Sequence, residues 1–66
     1  MNFANNLREF MQERKISQQA LAKEIGVSQR AVSKWIRGQA EPTATNIFNI
    51  AIFFNVSADV LLGIVD

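Results

Sequence analysis

Residues 18–37, QQALAKEIGVSQRAVSKWIR, contain the most informative spacing of residues in this chain. Ala22 has the small side chain that a close crossing of two helices requires. Gly26, four residues later, suits the left-handed backbone conformation that closes a helix C-terminus. Val32 follows six residues after that glycine, where its branched side chain would pack a second helix onto the first. The spacing predicts two short helices joined by a tight turn.

Helix-capping residues extend this pattern to the rest of the chain. A hydroxyl side chain that can cap a helix N-terminus stands before each of four segments: Ser17, Ser28, Thr43 and Ser57. The helices that follow are predicted at about 18–25, 29–37 and 44–54, with one short helix between Ser57 and Gly63. The residues around Pro42 are predicted to form a loop, because proline cannot continue a helix.

The N-terminal segment predicts one further helix. Phe3, Leu7, Phe10 and Met11 recur at the spacing of a helix that is apolar on one face. Together with the four capped segments, this gives five short helices. We therefore expect an all-α fold in a single domain that spans residues 1–66.

The composition excludes several classes of function. The 66 residues include no cysteine and no histidine, which excludes disulfide scaffolds and zinc sites built from those residues. No acid pair, nucleophile–base pair or phosphate-binding loop is visible, so we expect no catalysis, no cofactor and no metal. The longest apolar run, Ile50–Phe54, is far shorter than the ~20 residues that span a bilayer, and the N-terminus lacks a signal-peptide pattern. We expect a cytoplasmic protein without membrane contact.

The basic residues are confined to the first part of the chain. All seven lie at or before Arg37, and against three acids they give residues 1–37 a charge of +4, whereas residues 38–66 contain three acids and no base. Arg30 and Lys34 precede Arg37 at helical spacing, so the three fall on one side of the predicted third helix. That side is either an ordinary solvated face or a basic stripe that faces phosphates.

Two longer stretches carry a resemblance to a known family. Residues 17–38, SQQALAKEIGVSQRAVSKWIRG, and 41–63, EPTATNIFNIAIFFNVSADVLLG, make the chain similar to the lambda-repressor and Cro-like helix-turn-helix family over about Leu7–Gly63. The resemblance implies a compact five-helix DNA-binding domain in which helices 2 and 3 form the helix-turn-helix. It also implies a sequence-specific transcriptional regulator of the repressor type, with helix 3 in the major groove of double-stranded DNA.

The resemblance and the side-chain chemistry together assign DNA contacts. The residues expected at base edges lie on the third helix: Gln29, Arg30, Ser33 and Lys34. The residues expected at phosphates lie at helix ends: Gln18, Ser28, Arg37 and Thr43. Glutamine can bond adenine and arginine can bond guanine in bidentate fashion, and helix N-termini bind phosphate. Gln18 has the alternative role of a partner for the cap at Ser17, and Thr43 that of a cap alone. Trp35 is expected in the core rather than as a stacking surface for bases.

The apolar residues of the C-terminal part predict self-association. One recognition helix covers only a few base pairs, so regulators of this type usually bind palindromic operators as homodimers. The residues expected in the homodimer interface are Ala58, Val60, Leu61 and Ile64. A frayed C-terminal tail is the alternative to this interface. Phe48 and Ile52 make the fourth helix apolar on more than one side, which predicts either a wide core or a surface that faces a partner.

Two positions depart from the family pattern. Met11 and Ile36 stand where many members place an arginine and a glutamate that pair in the interior. An apolar pair can replace a buried ion pair without loss of stability, so we expect these two side chains to touch.

Two competing functions fit the same fold. One is a DNA-binding antitoxin that also binds a toxin protein, for which the extra apolar surface around Phe48 would be suited. The other is an interaction module that does not bind DNA. The cluster of polar and basic residues on the third helix argues against that second alternative.

Overall fold

The computed structural model describes residues 2–64, and five α-helices account for most of them. The helices are α1 (Phe3–Arg14), α2 (Gln18–Ile25), α3 (Gln29–Ile36), α4 (Ala44–Phe54) and α5 (Ala58–Leu62). No strand occurs between residues 2 and 64. The predicted all-α, five-helix architecture is therefore confirmed.

The predicted N-caps explain where four of the helices begin. In each case a hydroxyl oxygen accepts a hydrogen bond of 3.0 to 3.2 Å from the backbone N–H three residues further on. The four capping residues are Ser17, Ser28, Thr43 and Ser57. Each cap satisfies one of the N–H groups that a helix leaves without an internal partner, and this fixes the first residue of the helix.

Left-handed residues end the helices and keep the connections short. Lys15, Gly26, Gly38, Asn55 and Gly63 all have φ between 55° and 78°. The N–H of the residue after each one bonds back to a carbonyl five positions earlier, at 2.9 or 3.0 Å. This closure satisfies carbonyls of the last helical turn and reverses the chain direction within a few residues.

The end of α3 differs by one residue from the prediction. The helix stops at Ile36, and Arg37 has φ of −94° and ψ of 0°. Arg37 therefore lies at the junction between the helix and the left-handed Gly38 rather than in the helix itself. The amphipathic spacing continues into Arg37, which is why sequence periodicity alone extends the helix too far.

All five helices contribute side chains to a single hydrophobic core. The side chains with no exposed surface are Leu7, Leu21, Val32, Ile50, Phe54 and Leu61. Trp35 is also buried, as predicted, and the Phe54 ring stacks on Phe10 and meets the edge of Phe53. The core lies between the helices, so each helix has one inward stripe and leaves its other side for solvent or partners.

Polar side chains of α1 bind the C-terminal ends of three other helices. Asn6 Nδ2 donates to the carbonyls of Val60 and Leu61 at 3.3 and 3.1 Å, at the end of α5. One Arg8 guanidinium nitrogen donates to the carbonyl of Ile36, the last residue of α3, at 2.6 Å. Arg14 donates in the same way to the carbonyl of Phe54, the last residue of α4, at 2.9 Å. Helix α1 thus fixes the ends of the helices that pack on it.

Residues 2–64 contain neither a candidate membrane-spanning helix nor a candidate metal-binding cluster. Between residues 2 and 64, no helix has both the length and the apolar character needed to cross a membrane. The same part of the chain holds no cluster of three or more potential metal-ligating His, Cys, Asp or Glu residues.

Candidate nucleic-acid interface

Helices α2 and α3 form a compact unit around the three-residue connection 26–28. Gly26 has φ of 75°, and the N–H of Val27 bonds to the carbonyl of Ala22 at 3.0 Å. Val27 is half-buried against the core, and Ala22 is buried. Val32 has no exposed surface. The small, glycine and branched positions therefore have the roles that their spacing predicts.

The outer face of α3 is polar and its inner face is buried. Arg30 and Lys34 are exposed, Arg37 is exposed just beyond the helix, and Ser33 is half-buried beside them. At 100° per residue these four positions fall within a sector of about 100°. Val32 and Trp35 point the opposite way, into the core. The residues expected at base edges are thus on one outward face, with Gln29 exposed at its N-terminal end.

The dimensions of α3 suit a DNA groove. Its eight residues give a rod about 12 Å long. The major groove of B-form DNA is about 12 Å wide and admits one α-helix. No acidic residue stands on α3, so nothing on this helix would repel a phosphate backbone.

The residues expected at phosphates lie at the starts of α2, α3 and α4 and at the end of α3. Ser28 and Thr43 are exposed, and each hydroxyl accepts the capping bond of its helix. A hydroxyl that accepts a bond retains its own O–H as a donor, so capping and phosphate contact are compatible. Gln18 is half-buried at the first position of α2. The cap at Ser17 receives the N–H of Ala20, a bond that does not involve the Gln18 side chain.

The side chain of Arg37 bonds back to its own helix. Its Nε donates to the carbonyl of Ser33 at 3.3 Å, which folds the side chain back along α3. The bond is exposed and long, so exchanging it for a charge-assisted bond to phosphate would cost little. The guanidinium lies at the C-terminal end of the outer face, away from Gln29 at the other end.

Comparison with known proteins identifies the family. The helix-turn-helix family profile matches residues 7–61. The chain belongs to this family. A solution structure of the DNA-binding domain of the P22 C2 repressor superimposes with a TM-score of 0.85 at 35% identity, covering 91% of this chain and 79% of that one. The crystal structure of a transcriptional regulator from Listeria innocua gives a TM-score of 0.91 at 28% identity, covering 97% of this chain and 60% of that one. These matches place the helix-turn-helix chain in the lambda-repressor-like fold.

Relatives identified by sequence carry regulatory names and are longer. The transcriptional activator BcrR of Enterococcus faecalis is 34% identical over 63 residues, which are 96% of this chain and 31% of BcrR. The uncharacterised transcriptional regulator YqaE of Bacillus subtilis is 32% identical over 60 residues, 91% of this chain and 52% of YqaE. The repressor protein C2 of Salmonella phage P22 is 42% identical over 48 residues, 73% of this chain and 22% of C2. This helix-turn-helix chain thus spans between about a fifth and a half of these relatives.

Two large apolar side chains of this helix-turn-helix protein are exposed on α4. Phe48 is 63% exposed and Ile52 is 66% exposed, so the core does not extend to them. They stand beside a groove of about 440 Å³ between α4 and α5. Its lining residues are Ala44, Ile47, Phe48, Ala51, Ile52, Val56, Ala58 and Leu62. We call this surface the α4–α5 face.

The four residues expected in a dimer interface differ in their exposure. Ala58 is exposed and lines the α4–α5 face, and Ile64 is 67% exposed just beyond α5. Val60 is half-buried. Leu61 has no exposed surface and packs in the core, so its side chain cannot reach a second copy and its assignment to the interface is wrong. Leu62, one residue later, lines the α4–α5 face instead.

Proposed function

We propose that this chain binds double-stranded DNA sequence-specifically as a transcriptional regulator, with α3 in the major groove. The observation that carries the proposal is the outward polar face of α3, which holds Arg30 and Lys34 while Val32 and Trp35 hold the opposite face in the core. A rigid helix anchored in this way can present side chains to base edges in a fixed orientation. The regulatory names of the relatives support the proposal.

The outward face of α3 and the surrounding helix ends have different proposed tasks. Base edges are contacted by Gln29, Arg30, Ser33 and Lys34, and phosphates by Gln18, Ser28, Arg37 and Thr43. The first group points along one face of α3. The second group sits at helix ends, three of them N-termini, where backbone N–H groups and the helix dipole favour an anion.

Two copies acting on a palindromic operator complete the proposal. One α3 covers only a few base pairs, so specificity requires two half-sites. We place the contact between copies on the α4–α5 face together with Ala58, Val60 and Ile64. Helix α4 carries no charged residue. This matters for a two-fold contact, because each residue near the axis meets its own copy and a charge there would face an identical charge.

The small size of the α4–α5 face indicates that DNA assists the pairing. A standard interface uses about 800 Å² and roughly 20–30 residues from each partner. That area is nearly a fifth of this chain's accessible surface of 4355 Å². The groove has eight lining residues, and only four of them are exposed. We therefore expect a weak dimer in solution that becomes stable when both copies are held on one operator.

We propose repression as the regulatory outcome and the cytoplasm as the location. The P22 C2 repressor is 42% identical over the matched residues, against 34% for the activator BcrR. A dimer bound across a promoter blocks polymerase by occupying the DNA and needs no further contact. Measuring reporter expression from a promoter that contains the operator, with and without the chain, distinguishes repression from activation.

The experiment that tests DNA reading compares two arginines at opposite ends of the outward face. Arg30→Ala should relax the preference at one base pair of each half-site, a loss of discrimination of about 1–3 kcal/mol. Arg37→Ala should weaken binding to operator and scrambled DNA alike. It should also lower by about one the slope of log binding constant against log salt concentration. The operator comes from selection of bound sites in random DNA, and titrations at several salt concentrations give both quantities.

Two results would contradict this docking. If Arg30→Ala weakens both DNAs equally while Arg37→Ala changes base preference, α3 lies in the groove in the opposite direction. If neither variant differs from the parent on either DNA, α3 is not the reading helix.

The exposed α4–α5 face also favours a second candidate, a DNA-binding antitoxin that covers this face with a toxin protein. Its test is the copurification of a stoichiometric partner with the tagged chain, repeated with Ile52→Asp. Loss of the partner with retention of half-site DNA binding would support the antitoxin. Persistence of the partner on the variant would exclude this face as the toxin site.

A further inference from the structure

The contact between α1 and the end of α3 is not the one that the family resemblance implies. Met11 is buried and Ile36 is half-buried, and the two line the same surface depression. Neither carries a charge, so no ion pair links α1 to α3 at these positions. The two apolar side chains can pack against each other, but they cannot donate hydrogen bonds to the carbonyls at the C-terminal end of α3, so those bonds come from other atoms.

Arg8 supplies that link. One guanidinium nitrogen donates to the Ile36 carbonyl at 2.6 Å, and the other donates to Asn5 Oδ1 at 3.1 Å. Asn5 Nδ2 in turn donates to Asn2 Oδ1 at 3.2 Å. The three side chains, spaced three residues apart along one side of α1, form a hydrogen-bonded row that ends on α3. Asn5 thereby orients the guanidinium before it meets the carbonyl.

The Ile36 carbonyl depends on Arg8 more than its neighbours do. The last four carbonyls of a helix have no partner within it. At the end of α3, the backbone N–H groups of residues 37, 38 and 39 donate hydrogen bonds to the carbonyls of Ser33, Trp35 and Lys34, respectively. Among residues 2–64, the hydrogen bond found on the fourth carbonyl, that of Ile36, comes from Arg8. A guanidinium at this end also opposes the negative pole of the helix dipole.

We propose that Arg8 is the positioning residue of the reading helix. The N-terminal end of α3 is fixed by the tight turn from α2, and Arg8 fixes the C-terminal end against α1. Together they set the angle at which Arg30 and Lys34 meet base edges, and a binding site must hold such an angle to within about 10–20°. The proposal rests on α3 being the reading helix. It assigns to Arg8 an effect on discrimination between DNA sequences that does not require contact with DNA.

The test uses a matched pair of variants on the full chain. Arg8→Met keeps the length of the side chain and removes its donors. Arg14→Met is the control, because Arg14 binds the last carbonyl of α4 in the same way and also lies 5.7 Å from the Phe54 ring centroid. Both substitutions remove one charge and one bond to a helix end. Only the first frees the end of α3.

The readouts are amide hydrogen exchange and DNA titration. Arg8→Met should accelerate exchange of the Arg37, Gly38 and Gln39 amides relative to the amides at the end of α4. Arg14→Met should instead accelerate exchange of the amides at the end of α4 and leave those at the end of α3 unchanged. Operator affinity of Arg8→Met should fall about five- to tenfold, the effect of losing one solvent-exposed hydrogen bond. Scrambled DNA should change less than about twofold and the salt slope should stay at the parent value, because no phosphate contact is lost. Arg8→Lys, which keeps a donor, should recover part of the operator affinity.

Three outcomes are decisive against the inference. An equal loss on operator and scrambled DNA with a lower salt slope would make Arg8 a phosphate contact. The same ratio of operator to scrambled affinity in Arg8→Met and Arg14→Met would make it a general stabiliser. Unchanged exchange at the end of α3 would show that the bond does not hold the helix. If the parent itself does not discriminate between DNAs, the proposed function fails instead, and the exchange experiment still tests the contact.

Discussion

At the scale of single residues, two glycines have the same backbone conformation in different surroundings. Gly26 and Gly63 have φ of 75° and 78°. A Cβ added at Gly26 would have nothing within 4 Å, whereas one at Gly63 would lie 3.3 Å from both Asn2 Cβ and Asn6 Nδ2. The pair therefore separates the cost of a left-handed conformation from the cost of a close approach.

Gly26→Ala should lower the free energy of unfolding by about 1 kcal/mol, the cost of placing a Cβ in the left-handed region. Gly63→Ala should lower it by about 2 kcal/mol or more. The added methyl group also presses on Asn2 and strains the bonds from Asn6 to the end of α5. Urea denaturation of both variants measures the difference. Equal losses would mean that the contact at Gly63 relaxes without cost.

The side of α5 that faces the core could not be predicted from the sequence. The stripe positions of α3, Val32 and Trp35, are predicted inward and are buried. Helix α5 has five residues and is largely apolar, so its sequence has too little contrast to indicate which side faces the core. Leu61 was therefore expected at an interface and lies in the interior, while Leu62 lines the α4–α5 face.

At the scale of elements, two threonines near the start of α4 have different roles. Thr43 is the N-cap and Thr45 lies within the first turn. Thr43 caps α4 by accepting the N–H of Asn46 at 3.2 Å. Thr45 is exposed inside the first turn. Thr43→Ala should cost about 1 kcal/mol of unfolding free energy, because the Asn46 N–H loses its partner. Thr45→Ala should raise stability by roughly a few tenths of a kcal/mol, because alanine has the higher helix propensity.

Thermal and urea unfolding of the two threonine variants, without DNA, test this contrast. A similar change in both would show that the cap contributes nothing measurable to α4. Measuring the affinity of both variants for operator DNA then separates capping from phosphate contact. If Thr43 contacts a phosphate, Thr43→Ala should lower the DNA affinity by more than its loss of folding stability explains.

The element boundaries were largely predictable and the contacts between elements were not. Capping residues and glycine are local signals, and the limits of α2, α4 and α5 follow from them. The left-handed Lys15 has no such signal, because lysine is not enriched in that conformation. The bonds from Arg8, Arg14 and Asn6 to other helix ends join residues 28 to 55 positions apart, a separation that periodicity does not report.

At the scale of the whole molecule, introduced charges test the proposal that two copies meet through the α4–α5 face. In the proposed dimer, Ile52→Asp and Ile64→Asp would each place a charge near its own copy, and both positions are about two-thirds exposed, so folding should be unaffected. Binding to a full palindrome should weaken by about tenfold or more, because the charge must be desolvated without a partner. Binding to a single half-site should stay within about twofold of the parent, because one copy needs no dimer contact there.

The half-site is the internal control of that experiment, and native mass spectrometry of the complexes counts the copies. A variant that weakens half-site binding as much as palindrome binding would indicate damage to the fold or to α3. Unchanged palindrome binding with one protein per site would rule out the dimer.

The close approach of Gly63 to Asn2 also has a consequence for topology. Residues near the two ends of the described part of the chain lie close together, so the polypeptide enters and leaves the bundle at nearly the same place. A domain whose ends lie close together can be inserted into a surface loop of a larger protein without forcing apart the two ends of that loop. It can equally be reopened in the exposed loop around residues 39–41 and rejoined between α5 and α1 by a short linker. The helix-turn-helix would keep its orientation in a circular permutant that is opened after Gln39, because the N–H of Gln39 closes the end of α3 on the carbonyl of Lys34.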